Sequence, residues 1–189
     1  MMELEEVTQD VRSRLSEERF FHSMCVMDMC EELAKIYGAS VDTAKRVGIA
    51  HDVAKELSED ERIRYVMEKG ICVDEIEMAN TGLLHAKIGS SIAIKEYGFT
   101  EEMGQAIEAH TTGKVGMSLL AKILYIADCI GADNTDSDVE YVREMAKKNL
   151  DEAIIYDLDR VIRNMLEQKK QIHFNSVFTR NWLLGGADE

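Results

Sequence analysis

Five histidines lie in separate predicted helices or at helix ends, and they are the side chains best suited to acid–base or metal chemistry: His22, His51, His85, His110 and His173. Residues three and four positions apart share one face of a helix. His22 therefore shares its face with the apolar residues Val26 and Met29. His51 follows Val47 by one turn in the next helix. Both imidazoles are predicted to face the interior of the protein.

Two aspartates stand in similarly apolar surroundings. Asp52 follows His51 directly and is rotated about 100° from it on a helix, so both side chains can reach an ion beyond the helix edge. Asp128 lies four residues after Leu124, in the most apolar segment, 117–131. An ionised carboxylate at such a position is costly unless it is paired or binds a metal ion.

Each of these side chains also has an ordinary structural interpretation, because a buried aspartate often pairs with histidine or arginine and a lone histidine often packs in a core. Together, two imidazoles and two carboxylates from three helices form a ligand set for a divalent transition metal such as iron, manganese or zinc. The cysteines argue against a structural zinc site, since no two of the four have CxxC spacing. They are instead typical of small core residues in a reducing compartment.

The elements that must position these residues are helices. Sustained alternation typical of strands is lacking, and the sequence has 11 methionines and no proline. We predict helices at 2–16, 18–37, 41–54, 59–69, 82–97, 100–110, 117–131, 138–149, 151–169 and 176–184. Ser58 and Glu61 form a capping box, and Gly38 and Gly70 suit helix ends. The prediction is an all-α fold with an N-terminal helix, 1–17, and a single domain, 18–185.

The net charge of the chain limits the kinds of partner that it is expected to bind. At −14, the chain lacks the basic surface that binds nucleic acid polymers or anionic membranes. A phosphate-containing substrate would need cations within the site, most simply a metal ion. The sequence has neither a secretory signal pattern nor an apolar run long enough to span a bilayer, so we expect a cytoplasmic protein.

The order His22, His51-Asp52, Asp128 resembles the H…HD…D signature of the HD-domain superfamily of metal-dependent phosphohydrolases. Longer blocks resemble the YqeK family within it: "RFFHSMCV" (19–26), "AHDVAKEL" (50–57), "LLHAKIGS" (83–90), "AHTTGKVGMSLLAKILYIAD" (109–128) and "IHFNSVFTRNWLL" (172–184). These blocks span nearly the whole chain after residue 18. The resemblance implies a helical HD bundle and a symmetrical bis(5′-nucleosyl)-tetraphosphatase, which hydrolyses diadenosine tetraphosphate to two ADP. An older label links the family to NAD metabolism.

The resemblance also implies roles for individual residues. The metal ligands would be His22, His51, Asp52 and Asp128, with iron as the ion and manganese as the alternative. The nucleotide and its phosphates would contact Arg19, Lys55, His85, His110 and Thr111, with His173 and Arg180 added from the tail. Asp52, His85 and His110 are the expected catalytic residues, the two histidines as general acids toward the leaving ADP. His85 and His110 could alternatively help to hold a second metal ion.

The sequence departs from the family pattern in two places. Family members usually continue after the "YIAD" block with Ile-Glu-Pro and then an arginine, whereas residues 131–134 here are Gly-Ala-Asp-Asn. A phosphate contact is therefore either lost or supplied by Lys114 or Arg180. Phe174 stands where the family usually has proline. The alternative functions are another HD nucleotide phosphohydrolase and a non-catalytic module that binds metal and nucleotide. The sequence leaves open whether the protein forms a homodimer.

Overall fold

Helices form the framework of the computed structural model, which describes residues 1–135 and 137–186. The helices are α1 (Leu4–Arg14), α2 (Glu17–Tyr37), α3 (Val41–Ala50), α4 (Glu59–Lys69), α5 (Glu75–Ala79), α6 (Leu84–Lys95), α7 (Glu101–Ala109), α8 (Leu119–Ile130), α9 (Val139–Ala146), α10 (Leu150–Glu167) and α11 (Phe174–Leu184). The described ranges contain no strand, so the all-α prediction is confirmed. No helix in these ranges is long and apolar enough to cross a membrane.

The most apolar helix, α8, lies at the centre of the bundle. It packs against α2, α3, α7 and α10, and Ile123, Leu124 and Ile126 have no exposed surface. This position brings the C-terminal end of α8, with Asp128, close to α2 and α3. Helix α1 adds Val7 to the same core. The division of the chain at residue 17 stays a prediction.

Helices α2 and α3 approach each other unusually closely, and a glycine makes this contact feasible. A Cβ atom added to Gly48 would lie 2.8 Å from the Cα atom of Met27 and 3.2 Å from the Sγ atom of Cys30. Side chains essentially never approach a neighbouring backbone so closely, so the packing requires glycine at this position. The close contact draws the end of α3 toward α2, whose N-terminal half carries His22.

Helix α3 is shorter than the predicted segment 41–54, because it ends at Ala50. Residues 51–56 form turns, in which the amide of Val53 donates to Ala50 at 3.1 Å and that of Lys55 donates to Asp52 at 2.8 Å. The ring Nδ1 of His51 donates to the carbonyl of Gly48, which residue 52 would use in a continued helix. The His51-Asp52 pair therefore marks the helix end.

Two further differences from the predicted elements concern short segments. Helix α5 has five residues and was not predicted, because one turn and a half is too short to show a hydrophobic period. Asp74 caps it by accepting from the amides of Ile76 and Glu77. Helix α11 begins at Phe174 rather than 176, since the Nδ1 atom of His173 accepts from the amide of Asn175 at 3.1 Å.

Candidate active site

The four predicted metal ligands converge at the meeting point of α2, the end of α3 and α8. The Nε2 atom of His22 lies 2.9 Å from Oδ1 of Asp128, and Nε2 of His51 lies 3.4 Å from the same oxygen. The Oδ2 atom of Asp52 is 3.6 Å from Nε2 of His51. Neighbouring ligands of an octahedral ion at about 2.1 Å are about 3 Å apart. The separations among His22, His51 and Asp128 therefore suit atoms that share one ion, and Asp52 lies beside them in a second such group with His51 and His110.

Backbone carbonyls fix the tautomers of three buried histidines. Each ring donates from Nδ1 to the carbonyl three residues earlier: His51 to Gly48 at 2.7 Å, His85 to Gly82 at 2.6 Å and His110 to Ile107 at 2.6 Å. A carbonyl can only accept, so Nδ1 carries the proton and a neutral ring has its lone pair on Nε2. All three Nε2 atoms lie within 3.6 Å of a carboxylate oxygen of Asp52.

Two buried acceptors of this group have no hydrogen-bond donor among the described residues. They are the Nε2 atom of His51 and the Oδ1 atom of Asp52, on side chains that are 0% and 2% exposed. A buried acceptor without a donor is costly, and a bound cation would satisfy both atoms at once. The residues present therefore fit a divalent metal, and His22, His51 and Asp128 together can hold an ion.

A second group of side chains surrounds the other oxygen of Asp52. Its Oδ1 atom lies 3.2 Å from Nε2 of His85 and 3.6 Å from Nε2 of His110. The two Nε2 atoms are themselves 3.1 Å apart. The ammonium group of Lys55 lies 3.2 Å from His85, and the hydroxyl of Thr111 lies 3.1 Å from His110. Each ring nitrogen thus has a neighbouring donor.

The side chain of Arg19, on α2, also contacts Asp52. The Nη1 atom of Arg19 lies 3.3 Å from Oδ2 of Asp52, while 38% of the arginine side chain remains exposed. Lys55 is 35% exposed and lies 3.6 Å from the other carboxylate oxygen. Two cations therefore flank Asp52 and can still contact a molecule in solvent.

Burial and charge together set the protonation states of the site. Burial alone lowers the pKa of His22, but hydrogen bonds and negative charge from Asp128 and Asp133 outweigh it and raise the pKa to about 9. Burial lowers the pKa of His85 to about 4, so this ring is neutral at pH 7. Burial raises the pKa of Asp128, but the hydrogen bond from His22 and the interactions with His51 outweigh it and hold the pKa well below its usual range. In the metal-free protein, a proton on His22 takes the place of a cation.

A cavity of about 490 Å³ lies beside the second group. Its walls come from α5, α10, the segment before α11 and the turn after α7, namely Ile76, Ala79, Asn80, Leu83, Thr111, Thr112, Val161, Met165, Lys170, Gln171, Ile172, His173 and Ser176. The volume and the mainly apolar lining with a few polar groups are typical of small-molecule sites. His173 lies in this wall, where its Nε2 is 3.0 Å from Oδ2 of Asp74.

Two predicted phosphate contacts are directed elsewhere in the described part of the chain. The guanidinium of Arg180 pairs with Asp159 on α10. The ammonium of Lys114 is 3.8 Å from Glu108 on α7. Neither residue lines the cavity, so a phosphate contact from either one stays a prediction.

One contact of the site was not predicted. The Oδ2 atom of Asp133 lies 2.7 Å from Nδ1 of His22, on the side of the ring opposite Asp128. Asp133 follows the end of α8 in an irregular turn, where no helical or strand spacing indicates which residue it meets. The sequence signal for it is weak, since it consists only of an acidic residue shortly after Asp128.

A sequence model of the HD domain matches residues 19–133, which include all four predicted metal ligands and their neighbours Arg19 and Asp133. The chain belongs to the HD domain family. The resemblance to the HD-domain superfamily that the sequence showed is thereby confirmed. The metal-binding capacity of HD domains agrees with the convergence of imidazoles and carboxylates at the end of α3.

Relatives extend the similarity of this HD-domain chain over nearly its full length. It is 37% identical over 177 residues to the symmetrical bis(5′-nucleosyl)-tetraphosphatase of Halalkalibacterium halodurans, covering 93% of this chain and 94% of that one. The Bacillus subtilis protein of the same name is 30% identical over 187 residues, or 98% and 100% of the two chains. A crystal structure from Clostridium acetobutylicum, described as a predicted HD superfamily hydrolase involved in NAD metabolism, superposes with a TM-score of 0.94 at 33% identity over 98% of each chain.

Proposed function

We propose that this HD-domain protein is a metal-dependent hydrolase of dinucleoside polyphosphates, chiefly of diadenosine tetraphosphate, which it cleaves to two ADP. The observation that carries the proposal is the convergence of buried Nε2 lone pairs and carboxylate oxygens beside a cavity of about 490 Å³. The two relatives that bear the symmetrical tetraphosphatase name, each similar over more than nine-tenths of this chain, support the choice of substrate.

The proposed ion is held by the ligand group described above: His22, His51, Asp52 and Asp128. A set of imidazoles and carboxylates without thiolate suits iron, with manganese as the alternative. When bound, such an ion polarises a phosphoryl group and lowers the pKa of coordinated water. The protein itself supplies charge and position, which are the main requirements of phosphoryl transfer.

Arg19 and Lys55 are proposed to neutralise the phosphates, because both are cationic, lie within 3.6 Å of Asp52 and keep part of their surface exposed. The cavity next to Thr111 is proposed to hold a nucleoside, with His173 in its wall. A tetraphosphate bound between these groups would place its central anhydride near the ligand group. Symmetrical cleavage follows if that anhydride is the bond closest to the ion.

Proton donation to the leaving ADP is proposed for His85 and His110. Their Nε2 atoms are 3.1 Å apart and face the carboxylate of Asp52. The lowered pKa of His85 leaves it neutral in the free enzyme. The negative charge of a bound tetraphosphate favours the protonated form of a neighbouring imidazole, so substrate binding itself would prepare the acid.

A second metal ion is the alternative for this part of the site. His51, Asp52 and His110 each offer a ligand atom, and all three atoms lie within 4.8 Å of one another. Elemental analysis separates the alternatives, since two ions per chain would assign His110 to an ion and leave proton donation to another group.

We also propose that the substrate is a small nucleotide rather than a nucleic acid polymer, and that the protein works in the cytoplasm. The net charge of −14 disfavours polyanionic polymers, and the four cysteines are free thiols, as in a reducing compartment. Light scattering of the purified protein would test for the homodimer that the sequence leaves open.

The proposal is tested by incubating the metal-reconstituted protein with diadenosine tetraphosphate and separating the products by anion exchange. We expect ADP alone. Equal amounts of ATP and AMP would overturn symmetrical cleavage, and release of nucleoside or tripolyphosphate from a nucleotide panel would indicate another HD phosphohydrolase. Binding of ADP without turnover would indicate a non-catalytic module. His51→Ala and Asp128→Ala should each lower kcat by at least about 100-fold, whereas Asp28→Asn on the exposed face of α2 should not change it.

A further inference from the structure

The ring of His22 is oriented differently from the other histidines of the site. His51, His85 and His110 lie at or near helix ends and donate Nδ1–H to a backbone carbonyl. His22 lies within α2, where the carbonyls of the preceding turn already accept intrahelical hydrogen bonds. Its Nδ1 atom instead meets a side chain, the carboxylate of Asp133 at 2.7 Å.

The turn that carries Asp133 is held in place by hydrogen bonds on both sides. Arg143 of α9 donates to the carbonyls of Ile130 and Gly131 at 2.8 and 2.6 Å. The side chain of Asn134 donates to the carbonyl of Cys129 at 2.6 Å. The carboxylate is therefore presented by a constrained backbone.

Glycine at position 131 makes room for the carboxylate. A Cβ atom added there would lie 2.7 Å from Oδ1 of Asp133, closer than real Cβ atoms approach other atoms. Gly131 and Asp133 are thus linked by space, since the carboxylate occupies the position that a side chain at residue 131 would need.

We propose that Asp133 is a positioning residue, which accepts Nδ1–H from His22 and thereby leaves the Nε2 lone pair of that ring for the ion that would bind beside Asp128. A carboxylate is a stronger acceptor than the carbonyls that orient the other three histidines. It therefore makes His22 a better electron donor, as carboxylates behind metal-bound histidines do. This inference rests on the metal centre of the proposed function and is independent of which phosphate compound is cleaved.

Metal affinity tests the inference without use of activity. Metal-free protein is titrated with Mn²⁺ and free Mn²⁺ is followed by electron paramagnetic resonance. Asp133→Ala should weaken binding about 10- to 100-fold, the usual range for such outer carboxylates. Asp133→Asn should lose less Mn²⁺ affinity than Asp133→Ala, because the amide oxygen still accepts a hydrogen bond from His22. The matched control is Asp138→Asn, whose carboxylate accepts from Tyr156 at 3.1 Å and not from a histidine. It should bind as the wild type does.

A spectroscopic readout separates positioning from folding. In the Zn²⁺-loaded protein, the Nδ1–H proton of His22 should be protected from exchange and visible in ¹⁵N-edited spectra. It should become exchangeable in Asp133→Ala and remain visible in Asp138→Asn. If Asp133→Ala does not fold, both the Mn²⁺ titration and the spectroscopic measurement are made on Asp133→Asn.

The inference is overturned if Asp133→Ala and Asp133→Asn bind Mn²⁺ as the wild type does, or if Asp138→Asn weakens binding as much as Asp133→Asn. Wild-type protein that binds no ion would instead remove the metal centre of the proposed function. Wild-type protein that binds Mn²⁺ but releases no ADP would remove only the substrate assignment, and the comparison of variants would still decide the role of Asp133.

Discussion

At the scale of single residues, the site is organised by where protons lie on imidazole rings. Three rings are fixed by carbonyls, so their Nε2 atoms face Asp52 as acceptors. His22 lies between two carboxylates, Asp128 and Asp133, and in the metal-free protein it holds a proton that a cation must displace. Metal binding should therefore release a proton and weaken as pH falls.

The raised pKa of His22 predicts a pH dependence of stability in the metal-free protein. The folded pKa of about 9 lies above the ordinary value of 6.5, so the stabilisation from its proton is fully present below pH 6.5 and is lost as pH rises through 9. Urea unfolding of metal-free wild type and His22→Asn measures this effect. The difference in unfolding free energy between them should shrink from pH 6 to pH 9.5; parallel pH profiles would contradict the raised pKa.

Most of the residues of this site were predicted from the sequence, but the role of Asp133 was not. His22, His51 and Asp128 stand on helical faces whose apolar neighbours reveal their inward direction. The contact between His22 and Asp133 depends on the path of an irregular turn after α8, which no periodic pattern encodes. The sequence also did not show where the side chains of Arg180 and Lys114 point, because their pairing with Asp159 and Glu108 is set by tertiary packing.

At the scale of elements, the end of α3 decides the geometry of the His51-Asp52 pair. The predicted and observed bounds of α4 coincide at 59–69, because its capping box and terminal Gly70 are local signals. The predicted and observed ends of α3 differ because the His51 side chain donates to the carbonyl of Gly48, which would otherwise accept a helical hydrogen bond from residue 52. Such competition depends on tertiary burial of the ring and is not visible in helical periodicity.

Gly48→Ala should damage both the packing of α3 and the ligand group. The added Cβ would lie 2.8 Å from the Cα atom of Met27, so the two helices must separate. Overpacking of this kind typically costs about 1–3 kcal/mol in unfolding free energy. Denaturant unfolding and Mn²⁺ titration measure the two effects together.

Gly185→Ala is the matched control for this substitution. Its added Cβ would meet other atoms only at ordinary contact distances of 3.5 and 3.6 Å, and its φ of −73° suits alanine. The unfolding free energy should change by less than about 0.5 kcal/mol. Equal destabilisation by the two substitutions would show that the contact between α2 and α3 is not tight.

At the scale of the whole molecule, one central helix links the proposed metal ligands to the core, because α8 is both the most apolar helix and the carrier of Asp128. An ion held by the proposed ligands would join α2, the end of α3 and α8, so it should stabilise the entire bundle. A ligand that binds only the folded state at 100 times its Kd adds about 2.7 kcal/mol.

Metal addition should accordingly raise Tm. For a chain of this size, 1 kcal/mol corresponds to about 2–4 °C, so saturation with Mn²⁺ should raise Tm by roughly 5–11 °C. Differential scanning calorimetry with and without the ion, followed by chelation, measures the shift. Asp128→Ala should show almost none of it. A wild-type Tm that does not respond to the ion would be incompatible with a site that joins three elements.

The cavity walls draw on segments that lie far apart along the chain. The proposed metal ligands and Asp133 are complete by residue 133, whereas the cavity beside Thr111 needs Lys170 to His173 and Ser176. During synthesis on the ribosome, the parts that would bind the ion thus emerge well before the last wall of the cavity. A nascent chain would then acquire the proposed metal first and become able to recognise a nucleotide only when α11 has docked.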